Sequence, residues 1–366
     1  MAKAEMLLSP TGSYPVGRVI FHWQDASRLE ILSSKRGDKR EVGVWVWYPA
    51  SVDPGKETAP YIDQLDALAK ALSTDEVSLA RLVQTHAISN ASPSMAPRTF
   101  PVLILSPGSG GIPALYTSFC EDLASHGYFV AAIDHPYDDL AVRLSDGRVI
   151  KQAKEPAGGE QLLQYQRERV RVRVEDVRFV LNQLTQIQEG RLESLFRGRL
   201  DLSRIGVLGH SRGGMTAAEA CMKDQRVKAC ANFDGVVNAM PAYDDAGRGP
   251  VQPFLFMEKP LPAMKGEKPE DAKARLAFLR QRGNTMLAGV QSGHSYRVTI
   301  DGATHVTFSD EEIISDINAT RPRHLLDVAR TYLREFFDEA LNRRPSTVLS
   351  GPPSDSAVQV QVFYPR

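Results

Sequence analysis

Cysteine is scarce in this chain. Three residues in 366 (Cys120, Cys221 and Cys230) are too few for the disulfide framework that holds small secreted folds together. All three fall in segments that read as buried helix or strand, so the expectation is buried free thiols, with a Cys221–Cys230 bridge as the alternative. Charge of one sign is also missing. Lys plus Arg and Asp plus Glu each total 44, a formal net charge of zero, so the basic surplus of a nucleic-acid binder is absent. No window approaches the ~18 uninterrupted apolar residues of a membrane span. Met1 to Pro10 has no apolar segment long enough for a signal peptide, which makes the cytoplasm the default location. Internal repeats and low-complexity tracts are lacking too. What remains is ordinary globular material, 42% hydrophobic and 24% charged, enough for one large α/β domain or two smaller ones.

The rest of the chain is organised around Arg204 to Ala220. Ile205 to Leu208 reads as a short buried strand, and an alanine-rich helix opens near Arg212. The turn between them carries Gly-x-Ser-x-Gly, with Ser211 at its centre. In a nucleophile elbow of this kind the serine sits on a strained strand-to-helix corner with its hydroxyl exposed. Gly209 and Gly213 flank the serine, where a Cβ would strike the neighbouring strand or the helix backbone. The free N–H groups of the helix N-terminus face the place where negative charge would develop. The five-residue pattern alone is weak; between a β-branched run and an alanine-rich helix it is specific.

Before the elbow, residues 17–24 and 41–48 alternate apolar side chains and read as antiparallel edge strands. Residues 60–98 hold a modest helical pattern (Leu65, Leu68, Leu72, then Val77, Leu79, Leu82), either a pocket cover or a plain surface helix pair. Phe100 to Pro107 is the continuous apolar run of a strand buried on both faces. The turn Gly108-Ser109-Gly110-Gly111, a helix over 115–126 and a strand over 128–134 complete a βαβ unit. Asp146-Gly147 marks a hairpin within 143–152. The longest helix is expected over 161–188, on the repeat of Val170, Val174, Val177, Leu181 and Leu184. Its arginine run, 167–173, reads as a solvated face.

After the elbow, strands are expected at Val227 to Phe233, Pro253 to Glu258 and Tyr296 to Ile300. The charged, helical stretch 261–292 lies between two of them, the place for a cap, which is bounded at about 240–292. A helix over 322–342 packs on the sheet. The tail after Pro345 is polar, and Ala357 to Phe363 alternates like an edge strand.

A serine hydroxyl is a poor nucleophile at neutral pH and needs a general base within reach, itself oriented by a carboxylate. In an elbow fold the partners follow in the order Ser, acid, His. Of eight histidines, only His294, His305 and His324 lie after the elbow with useful spacing. His305 stands in the loop after the last parallel strand and is the candidate base. His294 lies at the wrong end of that strand, and His324 reads as a surface or capping residue. Two acids compete: Asp234, ending the strand after the elbow helix, and Glu258, ending the next. An oxyanion needs two backbone N–H donors. One belongs to Arg212, after the nucleophile, and the other is expected from the 108–111 turn.

At this point the chain resembles the bacterial branch of the platelet-activating-factor acetylhydrolase (plasma/isoform II) family of serine esterases. The matching pieces are Pro10 to Gly17, Val44 to Pro49, Leu105 to Gly110, Gly209 to Gly214, Asn232 to Gly235 and His305 to Asp310. The resemblance implies Asp234 rather than Glu258 as the acid, His305 as the base and Ser109 as the loop oxyanion donor. The chain departs from the family pattern at Pro107-Gly108, where a histidine-glycine start is usual, and at Arg212, where the animal members carry a bulky apolar residue. Specificity for acetyl phospholipids is therefore not implied. The elbow string also resembles that of chlorophyllases.

The combined expectation is a single α/β-hydrolase domain, a central mostly parallel sheet flanked by helices with a small cap. Its activity would be a carboxylesterase working on short-chain acyl esters, with neither cofactor nor metal and with a small-molecule or lipid ester as substrate. A polyester, chlorophyllase-like or lactone hydrolase is the alternative within enzymes. A non-catalytic binding protein on the same fold is the alternative outside them.

Overall fold

A computed structural model describes residues 5–51, 55–63, 65–72, 80–235, 249–261, 266–316 and 318–365. Ten strands form the main sheet among these residues: β1 (Val16–Leu29), β2 (Lys39–Pro49), β3 (Ile88–Ser89), β4 (Phe100–Ser106), β5 (Phe129–Ile133), β6 (Leu200–His210), β7 (Val227–Phe233), β8 (Phe254–Glu258), β9 (Ser295–Ile300) and β10 (Val358–Phe363). Their spatial order is β10-β9-β8-β7-β6-β4-β5-β2-β1-β3. The six central strands from β9 to β5 run parallel, whereas β10 on one side and β2 and β1 on the other pair antiparallel. The expected mostly parallel sheet of an α/β-hydrolase is therefore present.

The apolar run of β4 is buried at every position, and its side chains part by the period-two rule of a strand. Leu103 and Leu105 join the core under helices α1 (Thr117–Ser125) and α5 (Thr320–Asn342). Val102 and Ile104 join the core under α2 (Gly159–Gln188) and α3 (Arg212–Lys223). Burial on both faces follows from helices lying on both sides of the parallel strands. β7 extends the pattern by placing Ala229, Ala231 and Phe233 on one face and Cys230 on the other.

Several expectations need correction. Cys221 and Cys230 are not free thiols: they form a disulfide joining the end of α3 to β7, and only Cys120 remains a buried thiol. The arginine run of α2 is not a solvated face, because Arg169 and Arg173 are buried. A long polar side chain can point inward when carboxylates are there to receive it, and apolar periodicity does not report such partners. Among the described residues the 60–98 segment holds one α-helix, Leu65–Leu72, followed by short strands at Val83–Gln84 and Ile88–Ser89; Val77 and Leu79 lie outside the described residues. The hairpin is found as Ala141–Arg143 paired with Val149–Lys151. Of the cap region, residues 249–261 and 266–292 are described, with α4 (Pro269–Leu287) between β8 and β9; the rest lies outside. The tail provides β10, the sheet's antiparallel edge. No helix among the described residues is long and apolar enough to cross a membrane.

The disulfide closes a loop with a sequence separation of 9. By the chain-entropy account such a loop is worth about 2.5 kcal/mol. The paired change Cys221→Ser with Cys230→Ser is expected to lower the free energy of unfolding in urea by about that much. Wild type under a reductant should match the variant, and free-thiol titration of the denatured wild type should find only Cys120.

Candidate active site

β6 ends at His210 and α3 opens at Arg212, leaving Ser211 alone in the corner at φ 54° and ψ −118°. Left-handed backbone at a non-glycine residue costs on the order of 1–3 kcal/mol and persists only where its surroundings enforce it. The Ser211 N–H donates to the Phe233 carbonyl at 2.8 Å, and its carbonyl accepts from Met215 N at 3.2 Å. Helix and strands are jammed together here. A Cβ on Gly213 would sit 1.9 Å from the Ser106 carbonyl oxygen, and one on Gly209 would meet the Gly213 backbone at 2.3 Å. Glycine at both places lets the helix N-terminus come down onto the ends of β4 and β6. The Arg212 N–H, in the first turn of α3, has no acceptor within the helix.

Asp234 follows β7 at φ 50° and is pinned by its N–H to the Met257 carbonyl at 2.8 Å. Its Oδ2 lies 2.7 Å from His305 Nδ1 and accepts from Lys259 Nζ at 2.8 Å. A proton on Nδ1, facing the carboxylate, leaves Nε2 as the basic nitrogen. His305 opens a 3₁₀ turn, His305–Phe308, capped by Thr304 and Thr307. Phe308 anchors that turn beneath Phe233, and the Asp310 N–H donates to Leu115 O at 2.6 Å. The His305 ring packs 4.5 Å from that of His210, the residue before Ser211. A Cβ on Gly235 would come within 2.4 Å of the Ser211 carbonyl. Residues 211, 234 and 305 therefore gather at the carboxyl ends of β6, β7 and β9.

Glu258 lines the same cavity as Asp234 and His305, whereas the two competing histidines sit elsewhere. Glu258 has Arg297 Nε at 3.6 Å as its charged neighbour, and burial raises its pKa. His294 Nδ1 lies 3.2 Å from Glu339, and the exposed His324 meets Asp355 at 2.6 Å. Among the described residues, no cluster of three or more His, Cys, Asp and Glu side chains is placed to hold a metal ion.

The 108–111 turn lies against the elbow: a Cβ on Gly108 would be 3.5 Å from Ser211 Cβ. Ser109 Oγ donates to Glu155 at 2.8 Å and accepts from Arg212 Nη1 at 2.7 Å and from Gln152 Nε2 at 3.0 Å. Tyr116 Oη accepts from the Gly108 N–H at 2.9 Å and lies in hydrogen-bond contact with His210 Nδ1, also at 2.9 Å. Burial first, then the neighbouring His305, pushes the His210 pKa down to about 3, so that ring is uncharged. Arg212 is buried, with Asp138, Glu155 and the Tyr165 ring around its guanidinium. None of Tyr116, Asp138, Gln152, Glu155 or Arg173 was singled out by the sequence. The one available signal was the acidic cluster Asp134 to Asp139 at the carboxyl end of β5.

The packing at the corner makes one expectation sharp. Gly213→Ala forces a methyl group into the Ser106 carbonyl and should cost about 1–3 kcal/mol of stability. Urea unfolding of the purified variant measures this; wild-type stability would contradict the close approach.

The chain matches known proteins both in sequence and in fold. A probable 1-alkyl-2-acetylglycerophosphocholine esterase of Arthroderma benhamiae is 28% identical over 275 residues, 69% of this chain and 64% of its own length. The platelet-activating factor acetylhydrolase of Canis lupus familiaris is 26% identical over 296 residues, 72% of this chain and 62% of its own. The chain thus spans slightly under two thirds of these relatives. A solved ferulic acid esterase from Streptomyces cinnamoneus superposes with a TM-score of 0.77 at 29% identity, covering 99% of this chain and 100% of that one. The profile of the family described as platelet-activating factor acetylhydrolase, isoform II, matches residues 3–318. The chain belongs to that family.

Proposed function

We propose that the protein is a serine carboxylesterase that hydrolyses short-chain acyl esters through an acyl-enzyme. The observation that carries the reading is the 2.7 Å contact between His305 Nδ1 and Asp234 beside a serine held at positive φ. In this mechanism Ser211 Oγ attacks the acyl carbonyl as His305 Nε2 takes its proton. Asp234 holds the imidazole in the useful tautomer and stabilises its charged form. The collapsing tetrahedral adduct expels the alcohol, which receives the proton from His305. A water molecule, deprotonated by the same imidazole, then attacks the acyl-enzyme and releases the acid.

The oxyanion is assigned to the N–H groups of Arg212 and Ser109. Within the 108–111 turn, the N–H of Gly108 donates to Tyr116, that of Gly110 to Asp138 O and that of Gly111 to Gly108 O. These bonds support the choice of Ser109 as the loop's donor to substrate. Asp234 is the acid in this reading and Glu258 is not, since Glu258 faces Arg297. A cavity of about 600 Å³ opens beside Asp234 and His305, with Phe256, Leu261, Leu276 and Leu279 on its walls. The charged side chains of Glu258, Lys259, Arg280, Arg297 and Asp301 share that lining, and the volume leaves room for more than a short acyl group. The end-to-end match with an enzyme named for a feruloyl substrate favours a small aromatic acid as a second reading of the acyl part.

A p-nitrophenyl ester series from C2 to C12, with methyl ferulate alongside, tests the assignment on wild type and Ser211→Ala. Short-chain or feruloyl turnover should fall by about 10³-fold or more in the variant. No turnover in either protein would favour a binding role for the fold. Separately, Asp234→Asn is expected to lower kcat by roughly 10²–10⁴-fold, with Glu258→Gln within about threefold of wild type; the reverse order would transfer the role to Glu258.

A further inference from the structure

Arg173 is a fully buried arginine in the middle of α2, and its guanidinium is spent on the loop that faces the elbow. Nη1 donates to the Pro107 carbonyl at 2.5 Å and to Ser106 Oγ at 3.3 Å. Nη2 reaches the Gly108 carbonyl at 3.5 Å and Asp139 at 3.2 Å, while Nε donates to Asp138 Oδ2 at 2.5 Å. The Gly108 carbonyl also accepts from the Gly111 N–H at 3.1 Å.

A trans peptide is planar, with its C=O and N–H pointing to opposite sides. The Gly108 carbonyl and the Ser109 N–H belong to one such plane. Holding that carbonyl toward Arg173 therefore fixes the Ser109 N–H on the side away from the guanidinium. Glycine at 108 gives the loop no stiffness of its own, so the direction must be imposed from outside.

Asp138 couples this to the second donor. Its Oδ2 binds Arg173, its Oδ1 binds the Arg212 guanidinium, and its main-chain carbonyl accepts from the Gly110 N–H at 2.9 Å. Burial alone would raise the Asp138 pKa, but Arg173 and Arg212 outweigh it and hold the carboxyl ionised, well below its ordinary value. One buried carboxylate thus joins the guanidinium that aims the loop peptide to the side chain of the residue carrying the other N–H. A hydrophobic side chain could join helix to sheet without the desolvation cost of these charges, but it could not grip two carbonyls.

We propose that Arg173 is a positioning residue for the oxyanion hole, acting with Asp138 to aim the Ser109 N–H at the developing oxyanion without touching substrate. The proposal rests on the esterase reading above.

The test uses Arg173→Lys and Asp138→Asn in the full chain, with active-site titration so that rates refer to competent sites. Kinetics on p-nitrophenyl acetate are joined to two inhibition constants, one for a trifluoromethyl ketone, which forms an anionic tetrahedral adduct, and one for an uncharged ground-state amide. The expected result is a fall in kcat of roughly 10²-fold, a KM within about threefold, ketone affinity reduced in step with kcat, and amide affinity unchanged. The same shift for ketone and amide, or unaltered kcat per titrated site, overturns the proposal. If Arg173→Lys does not fold, the nearly isosteric Asp138→Asn gives the same reading. Active wild type with unimpaired variants rejects the clamp alone; a wild type inactive on every ester removes the esterase reading and the clamp together.

Discussion

The close approach of the elbow helix to the strand ends is the constraint on which the remainder of the site depends. Gly213 backs onto the Ser106 carbonyl with no room for a methyl group, and that contact leaves Ser211 no alternative to positive φ. The strain is offset by the tight hydrogen bonds on either side and by the deeply buried strands beneath. From it come the half-buried position of the serine, the N-terminal turn of α3 beside it, and the nearness of the 108–111 turn. Asp234 and His305 then need only stand at the ends of their own strands to join it.

Around this apolar frame runs an unusual amount of buried charge. Arg40 and His135 share Asp176, and His135 in turn meets Ser106 Oγ at 2.9 Å, next to the Arg173 cluster. Burial pushes the His135 pKa down to about 4, with Arg173 adding to the shift, so it serves as a neutral hydrogen-bonding link. Removing one partner from such a group typically costs about 3–5 kcal/mol, because the charge left behind has no water to turn to. The chain therefore fixes its glycine loop with side chains that tolerate few substitutions, while the apolar core on either face of the sheet admits many of similar volume.

The sequence disclosed the apolar part of this design and much of the polar part it hid. Strands β4 to β9 and the long helix α2 follow from continuous apolar runs and a 3.6-residue period, which are local signals. Ser211 was legible because glycine spacing reports backbone crowding directly. His305 and Asp234 were legible through chain order and, for the acid, through the family resemblance; spacing alone left Glu258 open. Arg173 was misread because a run of arginines on a helix carries no mark of which one points inward. That depends on Asp138 and Asp139, about 35 residues earlier, a pairing that exists only once the fold has formed. The Cys221–Cys230 bond stood only as the alternative for a related reason: burial favours a thiol and a disulfide equally, and only the placement of α3 against β7 decides between them.

The most direct test of the central claim is a crystal structure of the protein inactivated by a short-chain fluorophosphonate. The account predicts phosphorus bonded to Ser211 Oγ, the phosphoryl oxygen about 2.7–3.1 Å from the N–H groups of Ser109 and Arg212, and His305 Nε2 within hydrogen-bond reach of the adduct. Modification at another residue, or an adduct on Ser211 with the imidazole out of reach and the phosphoryl oxygen turned from both N–H groups, would contradict it.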